Sequence, residues 1–431
     1  MNEYDSNRIY DLVKKINYKK TDYMEEANCY VLNTCHIREK ATEKVYHDIG
    51  RVKKNFRNKK KPIVIVTGCV AQAEGEILLE KENYIDAVIG PQSFHQINET
   101  ILKIKNKISK TNYTDFDVID KFDTLNQIKN TSTKVSSFLT IQEGCDKFCK
   151  FCVVPYTRGA EYSRSIDELI KETQDLVESG SKEITLLGQN VNAYNYKGEG
   201  LSKLISEISK IEKLKRIRYS TSHPIDFTED LVNSHKYSKK LMPLIHLPVQ
   251  SGSNKILKSM NRKHSIEHYI KLVNRLKKAN PLIKFSSDFI IAYPGETEED
   301  FNDTLKLMKK VEFINSYSFI FSARPGTPAG KLEKIEDDIA KKRLVLFQKI
   351  ADEIKLKYRK TLFNKVSKVL FENMVPGKGE FFGRDEFSNS VIVKSDENLE
   401  GKVKEVKIIR GNQTTLFGEV QQGIEKKEYA A

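Results

Sequence analysis

The first hundred residues alternate between segments with helical spacing and short apolar runs. Helical spacing is found over 4–16, 38–55, 72–80 and 93–107. The apolar runs between these segments lie at 29–33, 63–68 and 86–90. Short apolar runs are typical of strands in a parallel sheet, because helices cover both faces of such a sheet. The alternation therefore predicts a parallel α/β domain.

The order of elements at the start of the chain is unusual for this kind of sheet. A doubly wound sheet normally begins with a strand, but the first predicted element here is the helix over 4–16. We therefore expect the first strand, and any ligand at its end, to be absent from this chain.

Strand–helix units continue after a polar segment, 108–130, which is predicted to be an irregular linker. Strands are predicted at 138–142, 184–188, 217–221, 244–249, 285–291 and 317–321. Helices are predicted at 166–179, 201–211, 229–235, 265–279, 298–311 and 334–360. Six such units predict a partial (βα)6 barrel rather than a complete eight-stranded one. From residue 364 onward, short β runs with turns predict a small β-barrel.

The charge distribution favours a polyanionic partner. The 431 residues carry 73 basic and 59 acidic side chains, a net charge of +14. The net charge is +3 over 1–130, +11 over 131–363 and zero over 364–431. Solubility alone is the simpler explanation of a positive charge. No apolar run approaches the ~20 residues of a membrane span, and residues 1–15 lack the apolar core of a secretory signal. We expect a soluble, cytoplasmic protein.

Half of the six cysteines lie within eight residues. Cys145, Cys149 and Cys152 follow the first predicted strand of the barrel with the spacing Cys-x3-Cys-x2-Cys. Thiolates at this density bind zinc or an iron–sulfur cluster. A structural zinc site requires four protein ligands, and the sequence has no fourth Cys or nearby His here. The pattern therefore favours a four-iron cluster with one iron left open to bind a substrate.

The other cysteines lie at different positions relative to the predicted strands. Cys35 comes just after the first strand, and Cys69 directly follows the second. Ligands bind outside the carboxyl ends of parallel strands, so both thiols are expected in one crevice. Cys29 lies inside a strand and is interpreted as a small buried hydrophobic residue.

The cysteine spacing resembles that of the radical S-adenosylmethionine superfamily, and flanking motifs narrow the resemblance. These motifs are LNTCHIREKA (32–41), TGCVAQ (67–72), LGQNVNAY (187–194), TSHP (221–224), HLPVQSGS (246–253) and YPGET (293–297). Together they resemble the tRNA-modifying branch of the methylthiotransferase family over nearly the whole chain. FGR (382–384) and NSVIV (389–393) lie where that family has its TRAM domain, an RNA-binding β-barrel.

The resemblance implies a domain order. A flavodoxin-like methylthiotransferase N-terminal domain would span 1–107, followed by the linker at 108–130. The radical S-adenosylmethionine core would span 131–363, and the TRAM domain 364–428.

The resemblance also implies S-adenosyl-L-methionine and two [4Fe-4S] clusters. Cys145, Cys149 and Cys152 match the cluster that cleaves S-adenosylmethionine to a deoxyadenosyl radical. Cys35 and Cys69 match two of the three ligands of an auxiliary cluster, the implied source of sulfur. The family's third cysteine falls two positions before Met1, so we expect an incomplete auxiliary cluster in this chain. Three explanations of the missing cysteine are open: a misassigned start codon, a truncated chain, or a protein with impaired activity.

The implied reaction is methylthiolation of carbon 2 of N(6)-dimethylallyladenosine at position 37 of tRNA, next to the anticodon. The enzyme would be a monomer that receives electrons from a flavodoxin- or ferredoxin-like protein. Sister enzymes that act on threonylcarbamoyl-adenosine in tRNA or on an aspartate of a ribosomal protein are alternatives. An RNA-binding protein with a structural metal is an alternative of another class.

Several polar residues are further candidates for the site. Gln189, Ser222 and Gln250 lie at or near the carboxyl ends of predicted barrel strands, where barrel sites form. Contacts with the cofactor or the nucleoside, and ordinary loop hydrogen bonds, are both open for them. Arg158 and Arg164 follow the cysteines. They are interpreted either as contacts for substrate phosphates or as ordinary surface charges. His36 and His223 are interpreted as hydrogen-bonded structural histidines rather than as ligands or bases.

Overall fold

The computed structural model describes residues 1–35, 40–107 and 110–421. The predicted role of His36 therefore lies outside the described residues. Within these ranges, no helix combines the length and the apolar character needed to cross a membrane.

The N-terminal region, residues 1–126, is built on a parallel sheet. In the described residues its strand order is β1-β2-β3-β4, with bounds Cys29–Thr34, Ile63–Gly68, Ala87–Ile89 and Thr111–Tyr113. The helices are α1 (Asn2–Lys14), α2 (Lys40–Asn55), α3 (Cys69–Lys81), α4 (Ile97–Lys105) and α5 (Val118–Asn126). Ile65 and Val66, neighbours on β2, belong to two different apolar cores. Helices therefore cover both faces of the sheet, as the continuous apolar strand predicts.

The described part of the predicted linker is structured, so the prediction of an irregular segment is wrong. β4 pairs in parallel with β3, and α5 buries Phe122 and Leu125 in the N-terminal core. The polar composition of this segment suggested an exposed loop. Lys121, on the same helix, is nevertheless fully buried, because it forms an ion pair with Glu143.

The central region follows the predicted pattern of strands and helices. Its strands are β5 (Ser136–Thr140), β6 (Gln142–Glu143), β7 (Tyr162–Ser163), β8 (Glu183–Leu187), β9 (Asn195–Tyr196), β10 (Glu199–Gly200), β11 (Arg216–Ser220), β12 (Leu244–His246), β13 (Lys284–Ile291) and β14 (Asn315–Ile320). Its helices are α6 (Val154–Arg158), α7 (Ile166–Glu178), α8 (Leu201–Ser209), α9 (Glu229–Tyr237), α10 (Asn254–Ser259), α11 (Ile266–Ala279), α12 (Glu298–Val311) and α13 (Asp337–Lys360).

Parallel strands of this region form the central barrel. Three-stranded sheets of order β11-β8-β5 and β12-β13-β14 lie side by side, and a parallel bridge between Ile217 and Leu241 links them. The described residues thus confirm the predicted partial barrel of six strands. Each predicted strand overlaps an observed one.

The C-terminal residues form a second, smaller barrel. Strands β15 (Val366–Val375), β16 (Glu380–Arg384), β17 (Ser390–Lys394), β18 (Val403–Gly411) and β19 (Thr415–Val420) close in the order β15-β16-β17-β19-β18. Phe371, Val391, Val406 and Leu416 are fully buried in its own core. We call this unit the C-terminal barrel.

Arg216, Arg218 and Arg359 of the central region dock the C-terminal barrel. All three side chains are almost completely buried. Their guanidinium groups donate at 2.7–3.2 Å to main-chain oxygens of Lys368, Arg384, Asp385, Glu386, Asn412 and Thr414. Because charge-assisted hydrogen bonds are stronger than neutral ones, this contact joins the two barrels firmly.

Candidate active site

The cysteine loop, residues 145–152, leaves the central barrel directly after β6. Gly144 has a φ of +77°, and a Cβ at this position would lie 1.8 Å from the carbonyl oxygen of Ala160. Only glycine fits such an approach of two backbone segments. Cys149 is buried, whereas Cys145 and Cys152 are half-buried. The loop is therefore placed by backbone geometry, with its thiols largely shielded from solvent.

Burial dominates the electrostatics of these thiols. It raises the pKa of the Cys145 thiol to about 12 and that of Cys152 to about 11. Arg262 donates from Nη1 to Sγ of Cys149 over 3.7 Å. Metal binding to thiols with raised pKa values releases protons, so loading of this loop is expected to depend on pH.

A group of buried polar atoms beside the loop lacks hydrogen-bond partners in the described part of the chain. These atoms are Asn190 Oδ1, Ser222 Oγ, His223 Nε2, Arg262 Nε and His264 Nε2. An unsatisfied buried polar atom costs about 1–3 kcal/mol, and native proteins contain few of them. Arg262 contacts Cys149, and the ring of His223 contacts that of His264. These unsatisfied atoms are candidates for binding a polar ligand.

His223 and His264 form part of this group. Their ring centroids are 5.6 Å apart in an edge-to-face arrangement. Burial, together with the charge of Arg262, lowers the pKa of both rings, that of His264 to about 4. Both imidazoles are therefore neutral at pH 7. Nδ1 of His223 accepts from the Ile225 N–H at 3.3 Å, so the predicted structural role accounts for only one of its nitrogens.

The structure gives the three predicted cofactor-binding residues different surroundings. Oε1 of Gln189 accepts from the Gly144 N–H at 2.7 Å, which anchors the start of the cysteine loop. Ser222 is buried, and no partner for its Oγ is found in the described residues. Gln250 has a φ of +75°, and its N–H donates to the Asp288 carbonyl at 3.0 Å. Cofactor contact stays a prediction for all three.

Arg158 and Arg164 are neither surface charges nor contacts for phosphate, so both sequence-based interpretations are wrong. Each is almost fully buried. Arg158 pairs with Asp5 at 2.9 Å, and Arg164 pairs with Glu172 at 2.7 Å. Both guanidinium groups are thus paired with internal carboxylates.

Cys35 and Cys69 lie at the same end of the N-terminal sheet. The parallel register pairs Thr34 with Gly68, so the next residue on each chain is a cysteine. A Cβ at Gly68 would lie 2.2 Å from the Thr34 carbonyl oxygen, which requires glycine there. Cys69 is the first residue of α3. The expected crevice therefore has both thiols at its edge.

Cys29 lies at the opposite end of β1 from Cys35. At about 3.3 Å per residue, the strand separates the two by roughly 20 Å. Cys29 packs against the N-terminal core, and burial raises its pKa to about 12. Its surroundings are those of a core residue, as interpreted from the sequence.

The two thiol sets lie near each other. Helix α3, which begins at Cys69, packs against α6, which begins two residues after Cys152. The pKa of Cys152 is raised mainly by burial and further by the charge of Cys69. The N-terminal region and the central barrel therefore present their cysteines to a shared space.

Sequence reasoning missed Asn190, Arg262 and His264 as site residues. Asn190 adjoins Gln189 inside the motif at 187–194, which was a usable signal. Arg262 and His264 belong to none of the motifs, and only the fold brings them beside Cys149.

Comparison with known proteins identifies the family. Residues 139–308 match the model of the radical SAM superfamily, and residues 1–90 match the uncharacterized protein family UPF0004. The fold of the solved radical S-adenosylmethionine methyltransferase TsrM from Kitasatospora setae is similar, with a TM-score of 0.57 and 13% identity over 76% of this chain and 74% of that chain.

Curated relatives match over almost the full length. One is the tRNA-2-methylthio-N(6)-dimethylallyladenosine synthase of Pelagibacter ubique (strain HTCC1062), 59% identical over 99% of this chain and 97% of the relative. The enzyme of the same name from Wolbachia pipientis subsp. Culex pipiens (strain wPip) is 47% identical over 97% of each chain. The chain therefore belongs to the tRNA-2-methylthio-N(6)-dimethylallyladenosine synthase family, within the radical SAM superfamily.

Proposed function

We propose that this protein methylthiolates carbon 2 of N(6)-dimethylallyladenosine at position 37 of tRNA. The observation that carries the proposal is the meeting of two thiol sets from two parts of the fold beside one group of unsatisfied polar atoms. The name shared by relatives at 59% and 47% identity supports the substrate.

The donor chemistry fits two iron–sulfur clusters. Cys145, Cys149 and Cys152 would hold the first cluster, and Cys35 and Cys69 would hold the auxiliary one. Among the described side chains, no three Cys, His, Asp or Glu residues already surround one point where a single metal ion could bind. A four-iron cluster spaces its thiolates more widely than zinc does, since each thiolate binds a different iron. When bound, the first cluster supplies the electron that cleaves S-adenosylmethionine.

The chain's own residues would position that cofactor and shield it from water. The unpaired atoms of Asn190, Ser222 and His223 would meet its polar groups, and Arg262 would hold Cys149 in place. The neutral imidazoles of His223 and His264 suit this role, because they add no positive charge beside a sulfonium. Gln189 would keep the cysteine loop attached to the barrel wall.

The interior of the central barrel would accommodate the target nucleoside. A cavity of about 840 Å³ extends between the barrel strands and the C-terminal barrel. Glu183, Thr185 and Leu187 line it from β8. Leu187 is the last residue of β8 and lies two positions before Gln189, whose side chain holds the start of the cysteine loop. The wall of the cavity includes His246, whose Nε2 lies 3.5 Å from Oδ2 of Asp288.

The proposal includes the partners of the reaction. The C-terminal barrel, as a TRAM-like domain, and the basic central region would bind the tRNA. A flavodoxin- or ferredoxin-like protein would supply electrons to the enzyme, which would act as a cytoplasmic monomer. The resemblance of the sequence to its family supports these assignments.

Nucleoside analysis tests the proposal. The chain is expressed in a bacterial strain that lacks its own methylthiolating enzymes, and tRNA nucleosides are identified by mass spectrometry. If Cys35 and Cys69 suffice for the auxiliary cluster, the product is 2-methylthio-N(6)-dimethylallyladenosine, lost in Cys149→Ala and retained in Cys29→Ala as the matched control. Cleavage of S-adenosylmethionine without this product would mean that the auxiliary cluster is incomplete. A methylthiolated threonylcarbamoyl-adenosine or ribosomal aspartate instead would establish a sister activity. Unmodified tRNA and ribosomes, with no cleavage of S-adenosylmethionine, would contradict the proposal.

A further inference from the structure

Four buried charged side chains form a continuous chain of ion pairs beneath the cysteine loop. Nζ of Lys121 lies 2.5 Å from Oε1 of Glu143. Nη1 of Arg158 lies 3.4 Å from Oε2 of Glu143, and its Nη2 lies 2.9 Å from Oδ2 of Asp5. All four side chains are at most 2% exposed. Two of these side chains are positively charged and two are negatively charged.

The network connects the N-terminal region to both ends of the cysteine loop. Asp5 and Lys121 lie on α1 and α5 of the N-terminal region. Glu143 lies two residues before Cys145, and Arg158 ends the helix that follows Cys152. The side chain of Gln92 also donates to the Arg158 carbonyl at 2.8 Å. The N-terminal region thus holds the loop at its entry and at its exit.

The network is also close to the second thiol set. Burial alone would lower the pKa of Arg158, but the charges of Asp5, Cys69 and Glu143 raise it well above its ordinary value. Arg158 ends α6, the helix that packs against α3, and α3 begins at Cys69. A change in its position would alter the relation of the cysteine loop to the start of α3.

Stability alone does not explain such a network. Removing charges from water costs as much as their mutual attraction returns, and apolar residues of similar volume often serve at least as well. The hydrogen-bonded pairs Lys121–Glu143 and Arg158–Asp5 do, however, restrict the arrangement of the parts that they join. The longer contact between Arg158 and Glu143 connects the two pairs. Here the joined parts carry the two thiol sets.

We propose that the Lys121–Glu143–Arg158–Asp5 network sets the separation of the two thiol sets and so couples radical formation to sulfur insertion. The inference rests on the proposed function, and it assigns Asp5 and Arg158 as positioning residues. Breaking the network is expected to leave both thiol sets intact, but their separation would no longer be fixed.

The test variant is Asp5→Asn, which removes a charge and preserves the shape of the side chain. Two controls lie on the same helix. Asp11→Asn breaks a buried pair with Arg8 that lies away from the cysteines, and Glu3→Gln breaks an exposed pair with Lys134. Should Asp5→Asn fail to fold by circular dichroism, the double variant Asp5→Leu/Arg158→Met replaces the pair by apolar residues.

The first readout uses the iron-free chain and a short thiol–thiol cross-linker, with the linked peptides identified by mass spectrometry. Wild type and both controls are expected to yield the Cys69–Cys152 link, and the yield should fall severalfold in Asp5→Asn. An unchanged yield in a folded Asp5→Asn variant, or an equal fall in Asp11→Asn, would overturn the proposal. Absence of the link in wild type would do the same.

The second readout uses the reconstituted enzyme and tRNA. Asp5→Asn should retain iron content, the KM for tRNA and the formation of deoxyadenosine. The yield of methylthiolated nucleoside per deoxyadenosine should fall severalfold, and a ratio equal to that of wild type would refute the coupling. If wild type forms neither deoxyadenosine nor methylthiolated nucleoside, the proposed function fails, whereas the cross-linking readout still tests the network.

Discussion

Replacing Arg218 by Met should loosen the C-terminal barrel without unfolding it. Nε of Arg218 donates to Oε2 of Glu183 at 3.0 Å. Its terminal nitrogens donate to the carbonyl oxygens of Glu386 and Asp385 at 2.9 and 2.8 Å. Methionine fills much of the same space but makes none of these three hydrogen bonds.

The size of the effect follows from what remains after the substitution. Removing one partner of a buried ion pair costs about 3–5 kcal/mol. Glu183 keeps a longer contact with Arg216, at 3.9 Å, so the lower end of that range applies. About 3 kcal/mol corresponds to roughly two orders of magnitude in the equilibrium between docked and undocked C-terminal barrels.

Hydrogen exchange on the full chain measures this change. Amides of residues 384–390 at the docking surface should exchange up to about a hundredfold faster in Arg218→Met. Amides near Val391 and Val406 should stay protected, because these residues belong to the barrel's own core. The control is Arg410→Met, since Arg410 is exposed and stacks 4.0 Å from the Phe417 ring centroid. Unchanged exchange at 384–390, or loss of protection throughout the C-terminal barrel, would refute the reasoning.

Three further predictions concern the cysteine loop, the binding of RNA and the response to pH. Gly144→Ala should lower iron retention and deoxyadenosine formation, because its Cβ would lie 1.8 Å from a carbonyl oxygen. Gly198→Ala is the control, since a Cβ there would lie in open space. Normal iron content in Gly144→Ala would contradict the prediction. The affinity for tRNA should fall as the salt concentration rises, since phosphate contacts release counterions. Much of this dependence should come from the central region, whose net charge is +11. If residues 364–431 alone bind tRNA as tightly as the whole chain, that division is refuted. The iron-free chain should lose stability as the pH falls from about 6.5 toward 3, because burial lowers the pKa of His235 to about 3 and the unfolded chain binds the proton more readily. Thermal unfolding of His235→Gln should therefore depend less on pH than that of wild type. An equal dependence would exclude His235 as its source.

Features that depend on neighbouring residues were predicted well from the sequence. The barrel strands and most helices were predicted within a few residues, since each is long enough to show its period. The motif at 293–297, with Asp300 three residues after Thr297, has the pattern of a turn followed by a capped helix start. The structure confirms a reciprocal cap between Thr297 and Asp300 at the start of α12. The signal for such a cap spans four residues and requires no knowledge of the fold.

Features that depend on distant partners were predicted poorly. Charged side chains are mostly exposed, so Lys121, Arg158 and Arg164 gave no sign of burial. Their partner carboxylates are 22, 153 and 8 residues away along the chain. The 153-residue separation from Asp5 can be bridged only once α1 packs against the central barrel, where Tyr4 joins the barrel core. No local pattern in the sequence carries that information.

The two ends of the central barrel are joined to their neighbours by different kinds of contact, and the difference has a consequence. Toward the N-terminal region, the buried ion pairs join side chain to side chain, so a change at Asp5 deprives the buried Arg158 of its hydrogen-bonded carboxylate. Toward the C-terminal barrel, Arg216, Arg218 and Arg359 donate to main-chain oxygens, which every residue type provides. The side chains of the docked segments are therefore less constrained by the contact. The sequence of the C-terminal barrel can thus vary while its position relative to the central barrel is maintained.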